Sequence, residues 1–167
     1  MTLEIRGLEF GYGDDPVLDG VDLTVEDGEL VGLLGPNGSG KSTLLECCNR
    51  ILEPDAGSVS IDGDRVADLG RNETARRIGY VPQSERSAFP ATVFDTILMG
   101  RRPHSGWTPS EDDRVAVARV IDALDLSAFA TRTVDELSGG QRQKVRLGRA
   151  LVQETSVLLL DEPTAGL

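Results

Sequence analysis

The chain has 167 residues, enough for one domain with its own hydrophobic core and too few for two full ones. Hydrophobic residues make up 39% and charged residues 27%, ordinary values for a folded domain, and no apolar run approaches the roughly 20 residues that span a bilayer. A formal net charge of −11 argues against a general nucleic-acid binder, because polyanions are held by Lys and Arg.

Of the 17 basic residues only Lys41 and Lys144 are lysines. An acidic, lysine-poor surface resembles those of salt-loving microbes, where exposed carboxylates keep proteins hydrated; compositional drift is the alternative. The N-terminus lacks a basic start followed by a roughly 7–15-residue apolar core, so no signal peptide is expected. A soluble, cytoplasmic protein is therefore predicted, unless a partner holds it at a membrane. Adjacent Cys47 and Cys48 lack the spacing of a zinc site or redox motif. They are expected to be free thiols on a helix, one facing the core and one at its margin.

Residues 3–10 alternate loosely between apolar and polar, as a half-exposed strand does. Residues 11–16 are a turn-rich breaker. Residues 17–25 alternate again, and Asp27-Gly28 reads as a hairpin turn. Leu30-Val31-Gly32-Leu33-Leu34 is apolar throughout, which suits a strand buried on both faces of a parallel sheet. A helix is predicted over 41–52, ahead of Pro54. A short strand and turn follow over 57–63, and another strand over 78–83, closed by Pro82. From 91 to about 130 the pattern is helical, with Val115, Val117, Val120, Ile121 and Leu124 on one apolar face. Ser110 with Asp113 marks a helix start. Leu137 to Gln141 opens a further helix to about 153. Val157-Leu158-Leu159-Leu160 is a second fully apolar strand, stopped by Asp161-Glu162-Pro163.

Gly35-Pro36-Asn37-Gly38-Ser39-Gly40-Lys41-Ser42 fits G-x-x-x-x-G-K-[ST] between a predicted buried strand and a helix. Glycines let successive N–H groups point at phosphate oxygens, and the N-terminus of the helix adds positive potential. The loop and Thr43 are expected to bind a nucleoside triphosphate, with Lys41 reaching the β- and γ-phosphates and Ser42 ligating Mg²⁺. A strand ending in Asp161-Glu162 supplies the other half of such a site. Asp161 is placed to hold Mg²⁺, and Glu162 to orient and deprotonate an attacking water.

Leu137-Ser138-Gly139-Gly140-Gln141, lying between these motifs, resembles the signature sequence of ATP-binding-cassette (ABC) ATPases. Along the whole chain the motif order is similar to theirs. The resemblance implies an α/β fold: a P-loop NTPase core with a mostly parallel sheet, an N-terminal antiparallel β-subdomain, and a helical subdomain inserted at about 85–135. It implies an ATPase that sandwiches two ATP molecules in a homodimer or pseudo-dimer, the signature of one subunit meeting the γ-phosphate held by the other. It places Tyr12 against adenine, a packed turn residue being the alternative. Gln83 takes the place of the family's flexible glutamine, which touches Mg²⁺ and serves catalysis with Glu162 and Lys41. Asp135-Glu136, Gln143, Lys144 and Arg146 follow the family pattern, or form a solvated helix face.

Met99-Gly100-Arg101-Arg102-Pro103-His104 and Ala150-Leu151-Val152-Gln153-Glu154 are similar to ATPases of importers for iron-siderophore complexes, haem and cobalamin; an importer for another substrate is the alternative. His104 reads as a surface residue in a Pro-His-Ser-Gly turn. The implied partners are membrane permease subunits, contacted near residues 85–130 at the cytoplasmic face, and indirectly a substrate-binding protein; nucleic acid is not among them. The chain departs from the family by ending at Leu167, ahead of a dimer-contact aspartate and a switch histidine. The expectation is a C-terminally truncated subunit, and a hydrolysis-deficient nucleotide-binding fragment is the rival reading.

Overall fold

The computed structural model describes residues 1–83, 90–104 and 108–163. The chain divides into two compact units, residues 1–78 and 79–167.

In the first unit, strands β1 (Leu3–Tyr12), β2 (Asp15–Val25), β3 (Ala56–Ile61) and β4 (Asp64–Arg65) form an antiparallel sheet in the order β2-β1-β3-β4. Ile5 pairs with Leu23 on one side and Val59 on the other. The period-2 alternation buries Leu3 and Ile5 while Arg6 faces water, and a register shift after Ile5, with Gly7 at φ +52, brings Leu8 back into the core. The predicted break over 11–16 narrows to a two-residue turn, with Tyr12 opposite Asp15.

Helix α1 (Lys41–Cys48) starts beside Val17 and Leu18 of β2, within reach of any Cβ placed on Gly40. It stops earlier than the expected 52. Arg50 adopts φ +57, its N–H returns to Cys47 O, and the Ile51 N–H returns to Glu46 O. That is a Schellman ending with arginine in the place glycine usually takes. The Arg50 guanidinium donates to Leu69 O. Cys47 and Cys48 are both 2% exposed, so the expected marginal thiol is a core one. Helix α2 (Arg71–Arg77), which the pattern did not suggest, is ion-paired through Arg77 to Glu73 and Asp64.

The predicted strand at 30–34 is not formed. Leu30 and Leu34 are each 96% exposed, and no strand among the described residues pairs with the segment.

β5 (Ile78–Val81), which starts at the boundary residue and continues into the second unit, pairs with β6 (Val157–Leu160). Burial alternates along β6, leaving Leu158 37% exposed, so one of its two expected faces is open. Helices α3 (Val93–Leu98), α4 (Glu111–Ala123) and α5 (Gly139–Leu151) enclose a core of Val93, Ile97, Val117, Ile121, Leu137 and Val145. Ser110 and Asp113 make the expected capping box at α4. Val115 departs from the predicted apolar face and is 41% exposed. Residues 84–89, 105–107 and 164–167 lie outside the described residues, and with them parts of the expected helical subdomain, the Ser105-Gly106 half of the turn after His104, and the chain end.

Candidate nucleotide-binding site

Residues Gly35 to Thr43 belong to the first unit, whereas Gln83, Leu137–Gln141, Asp161 and Glu162 belong to the second. In the first unit, Gly38 and Gly40 have φ of +81 and +87, conformations that a side chain would strain. Gly35 is packed so that a Cβ would lie 2.7 Å from Ser39 Oγ. The first intrahelical bond of α1 is from Leu44 N–H to Gly40 O, at 2.8 Å. The amides of Lys41, Ser42 and Thr43 therefore precede the helical ladder, and no side chain caps them. Such an end attracts an anion through its N–H groups and the helix dipole together.

Lys41 folds back over the loop, its Nζ donating to Gly35 O at 3.0 Å and Pro36 O at 2.8 Å. The ammonium is thereby held above the curl of the loop. Ser42 is half-buried, while Thr43 is buried and offers a ligand its amide rather than its side chain. Tyr12 is 55% exposed, with its ring edge-on to Phe10 at 5.0 Å between centroids.

In the second unit, β6 delivers Asp161 and Glu162. The Asp161 amide donates to Val81 O at 2.9 Å, continuing the pairing with β5, and its carboxylate is buried at 5% exposure. Glu162 turns out of the strand at φ +45. Its Oε2 accepts from Gln83 Nε2 at 2.6 Å, a contact between residues 79 positions apart. The sequence marked both residues but gave no sign that they touch, since only the pairing of β5 with β6 brings them together.

Leu137 is buried and anchors the signature segment in the core. Ser138 Oγ accepts the Gln141 N–H at 3.3 Å, and Gln141 Oε1 accepts the Ser138 N–H at 2.9 Å. The box consumes the Ser138 oxygen as an acceptor and leaves its O–H as a donor, beside the first amides of α5. Thr133 and Glu136 form a similar box just upstream, where the Thr133 hydrogen bonds hold the Glu136 carboxyl below the usual range. Lys144 donates to Leu124 O at 2.9 Å and so ties α5 to the end of α4, while Arg146 donates to Gln143 of its own helix at 3.2 Å. His104 is exposed, as expected.

The loop fits a polyphosphate. Its glycines permit the left-handed and closely packed turns of the loop, and its uncapped amides and Lys41 supply donors and charge. The expected Mg²⁺ ligands, the Ser42 hydroxyl, the Gln83 carboxamide and the Asp161 carboxylate, are hard oxygen donors with a single carboxylate. That suits an ion that keeps several waters. Among the described residues no three or more His, Cys, Asp or Glu side chains cluster as a metal cage.

A phosphate loop on α1, an acidic pair at the end of β6 and a capped signature helix define a nucleotide-binding α/β protein. The ABC transporter family profile matches residues 18–165, and the chain belongs to that family. It is 46% identical over its full length to an uncharacterised ABC transporter ATP-binding protein of Methanocaldococcus jannaschii, spanning 65% of that protein. It is 45% identical, again over its full length, to the cobalamin import ATP-binding protein of Halobacterium salinarum, spanning 42% of it. Among solved structures, a metal-chelate type ABC transporter in an inward-facing conformation superposes with a TM-score of 0.85 at 33% identity, over 99% of this chain and 61% of that one. The chain thus spans less than two thirds of the length of these relatives.

Proposed function

We propose that the chain is the ATP-binding and ATP-hydrolysing part of an ABC importer subunit. The observation that carries this reading is the Glu162 carboxylate, turned out at the end of β6 and hydrogen-bonded by Gln83. Mg·ATP, when bound, supplies the phosphoryl group and the charge neutralisation for its transfer. The amides of the loop hold the phosphates, and Lys41 leaves the carbonyls of Gly35 and Pro36 to meet the β- and γ-oxygens. Ser42, Asp161 and Gln83 would hold the ion, and Glu162 takes a proton from the attacking water on its carboxylate. Tyr12 offers a ring to the adenine. Ser138, Gly139 and Gly140 face the nucleotide of a second subunit, so two chains complete two sites.

No helix among the described residues is long and apolar enough to cross a membrane, and permease subunits would hold the protein at the cytoplasmic face. The likeness to a cobalamin import protein and to a metal-chelate type transporter supports a chelate such as an iron-siderophore, haem or cobalamin as cargo, delivered by a substrate-binding protein. The test is Glu162→Gln in the full-length subunit. Turnover should fall by about 10² or more, the worth of a positioned base, while ATP binding persists. Hydrolysis at the wild-type rate would remove Glu162 from the mechanism.

A further inference from the structure

Arg101 closes a short 3-10 turn, Met99–Arg101, that follows α3, and its side chain is only 12% exposed. Its guanidinium is divided among acceptors on two other elements. Nε donates to Asp113 Oδ1 at 2.8 Å, while Nη1 donates to Val152 O at 2.9 Å and to Glu154 Oε2 at 2.7 Å. Asp113 lies in the first turn of α4, and its side chain is 6% exposed. Its other oxygen accepts from the N–H and O–H of Ser110, both at 2.9 Å. The buried charge pair is thus saturated with hydrogen bonds, which is what such a pair needs to be tolerated.

Val152 is the C-cap residue of α5, and Glu154, at φ +53, reverses the chain behind it. Carbonyls at this end of a helix have no intrahelical donor and carry the negative end of the dipole. Here the donors come from a different element: Arg101 serves Val152 O, and His104 Nε2 meets Gln153 O at 2.8 Å. Gly100 lies so close that a Cβ on it would fall 2.0 Å from Arg149 O. Segment 100–104 therefore grips the last turn of α5 at several backbone positions.

The gripped joint leads in two directions. Shortly beyond Glu154 the chain enters β6 and ends in Asp161 and Glu162. The opposite end of α5, about 20 Å away at 1.5 Å per residue, begins at Ser138. We propose that Arg101 is a positioning residue: from the α3 side it locks the α5–β6 joint and so sets Glu162 and the Ser138 end of α5 as one body. This rests on the ATPase reading above and deepens it. A displacement of segment 99–104 reaches the catalytic carboxylate through this fork without touching the nucleotide.

The experiment compares wild-type, Arg101→Lys and Arg101→Ala full-length subunits, using mant-ATP affinity, ATP turnover per mant-ATP site, and Tm. Lysine keeps a cation against Asp113, but one ammonium cannot span Asp113 and Val152 O as the fork does. Arg101→Lys should keep mant-ATP affinity within about twofold and Tm near wild type, while turnover per site falls by about ten- to a hundredfold, as for a misplaced catalytic group. Wild-type turnover per site in Arg101→Lys, or losses in Arg101→Ala that only follow the fraction of binding-competent protein, would overturn the proposal and leave Arg101 a structural residue. A wild-type subunit that binds mant-ATP without turning it over would overturn the ATPase reading, and this inference with it.

Discussion

Two adjacent thiols show how strongly position governs chemistry in this chain. Burial, aided by the carboxylate of Glu46, raises Cys47 to about 11, and burial raises Cys48 to about 12. The thiolate is the reactive species, so both cysteines should resist Ellman's reagent at pH 8 in the native protein and react only on unfolding; rapid labelling of either would contradict their burial. The same shift sets a direction with pH. A folded-state pKa above the unfolded value favours folding below the ordinary thiol range. That contribution is lost as the pH climbs from about 9 towards 12, and urea midpoints should drop over that window. A second residue-scale expectation concerns Lys41, whose ammonium rests on Gly35 O and Pro36 O. Replacing it with alanine should weaken mant-ATP binding about tenfold or more, the worth of one charge-assisted contact to phosphate, with little change in Tm, since its two contacts are exposed. Unchanged affinity would place the phosphates elsewhere.

Helices and strands carry the next layer. The capping box at α4 should make Ser110→Ala cost about 1 kcal/mol in urea unfolding, and more if Asp113, which Ser110 shares with Arg101, loosens as well. A cost near zero would show that the box is ornamental. Two glycines in the helical unit predict different genetics. At Gly100 the obstacle to any side chain is the backbone oxygen of Arg149, so no second-site replacement at 149 should rescue a substitution there. At Gly148 the obstacles are side-chain methyl tips, Ile97 and Leu124 each 3.0 Å and Val120 3.3 Å from where a Cβ would sit, and shortening Ile97 and Leu124 together should restore Gly148→Ala. Most of these elements were legible because their signals are local: the apolar-polar alternation in β1 and β2, the Ser110 cap, the helix opening at Leu137–Gln141, and the apolar run of β6. What escaped was tertiary. An apolar run such as 30–34 announces a wish for burial but not which strand will cover it. Nor does sequence spacing reveal that Arg50 will take a left-handed conformation, that Val115 will turn outward, or that Gln83 will meet Glu162. The phosphate loop and acidic pair could be read because each is contiguous, whereas the Arg101 fork joins three separated segments and left no local signature.

At the scale of the whole molecule, charge dominates. With a net charge of −11, like-charge repulsion opposes the compact state. Its range shrinks from about 10 Å at 0.1 M salt to about 3 Å at 1 M. Tm should therefore rise by several degrees between about 0.1 and 2 M KCl; a flat or falling Tm would mean that the carboxylates are spaced too widely to matter. The exposed segment Leu30-Val31-Gly32-Leu33-Leu34 makes the same salt act in a second way. It is uncharged and free of proline, with both terminal leucines 96% exposed, the kind of stretch that pairs edge to edge between molecules. In dilute buffer the acidic surface keeps those stretches apart. Salt that steadies the fold also removes that separation, so the solution should grow colloidally less stable as each molecule becomes thermally more so. Light scattering should rise along the same KCl series in which Tm climbs, and Leu30→Lys with Leu34→Glu should abolish the scattering while leaving the climb in place.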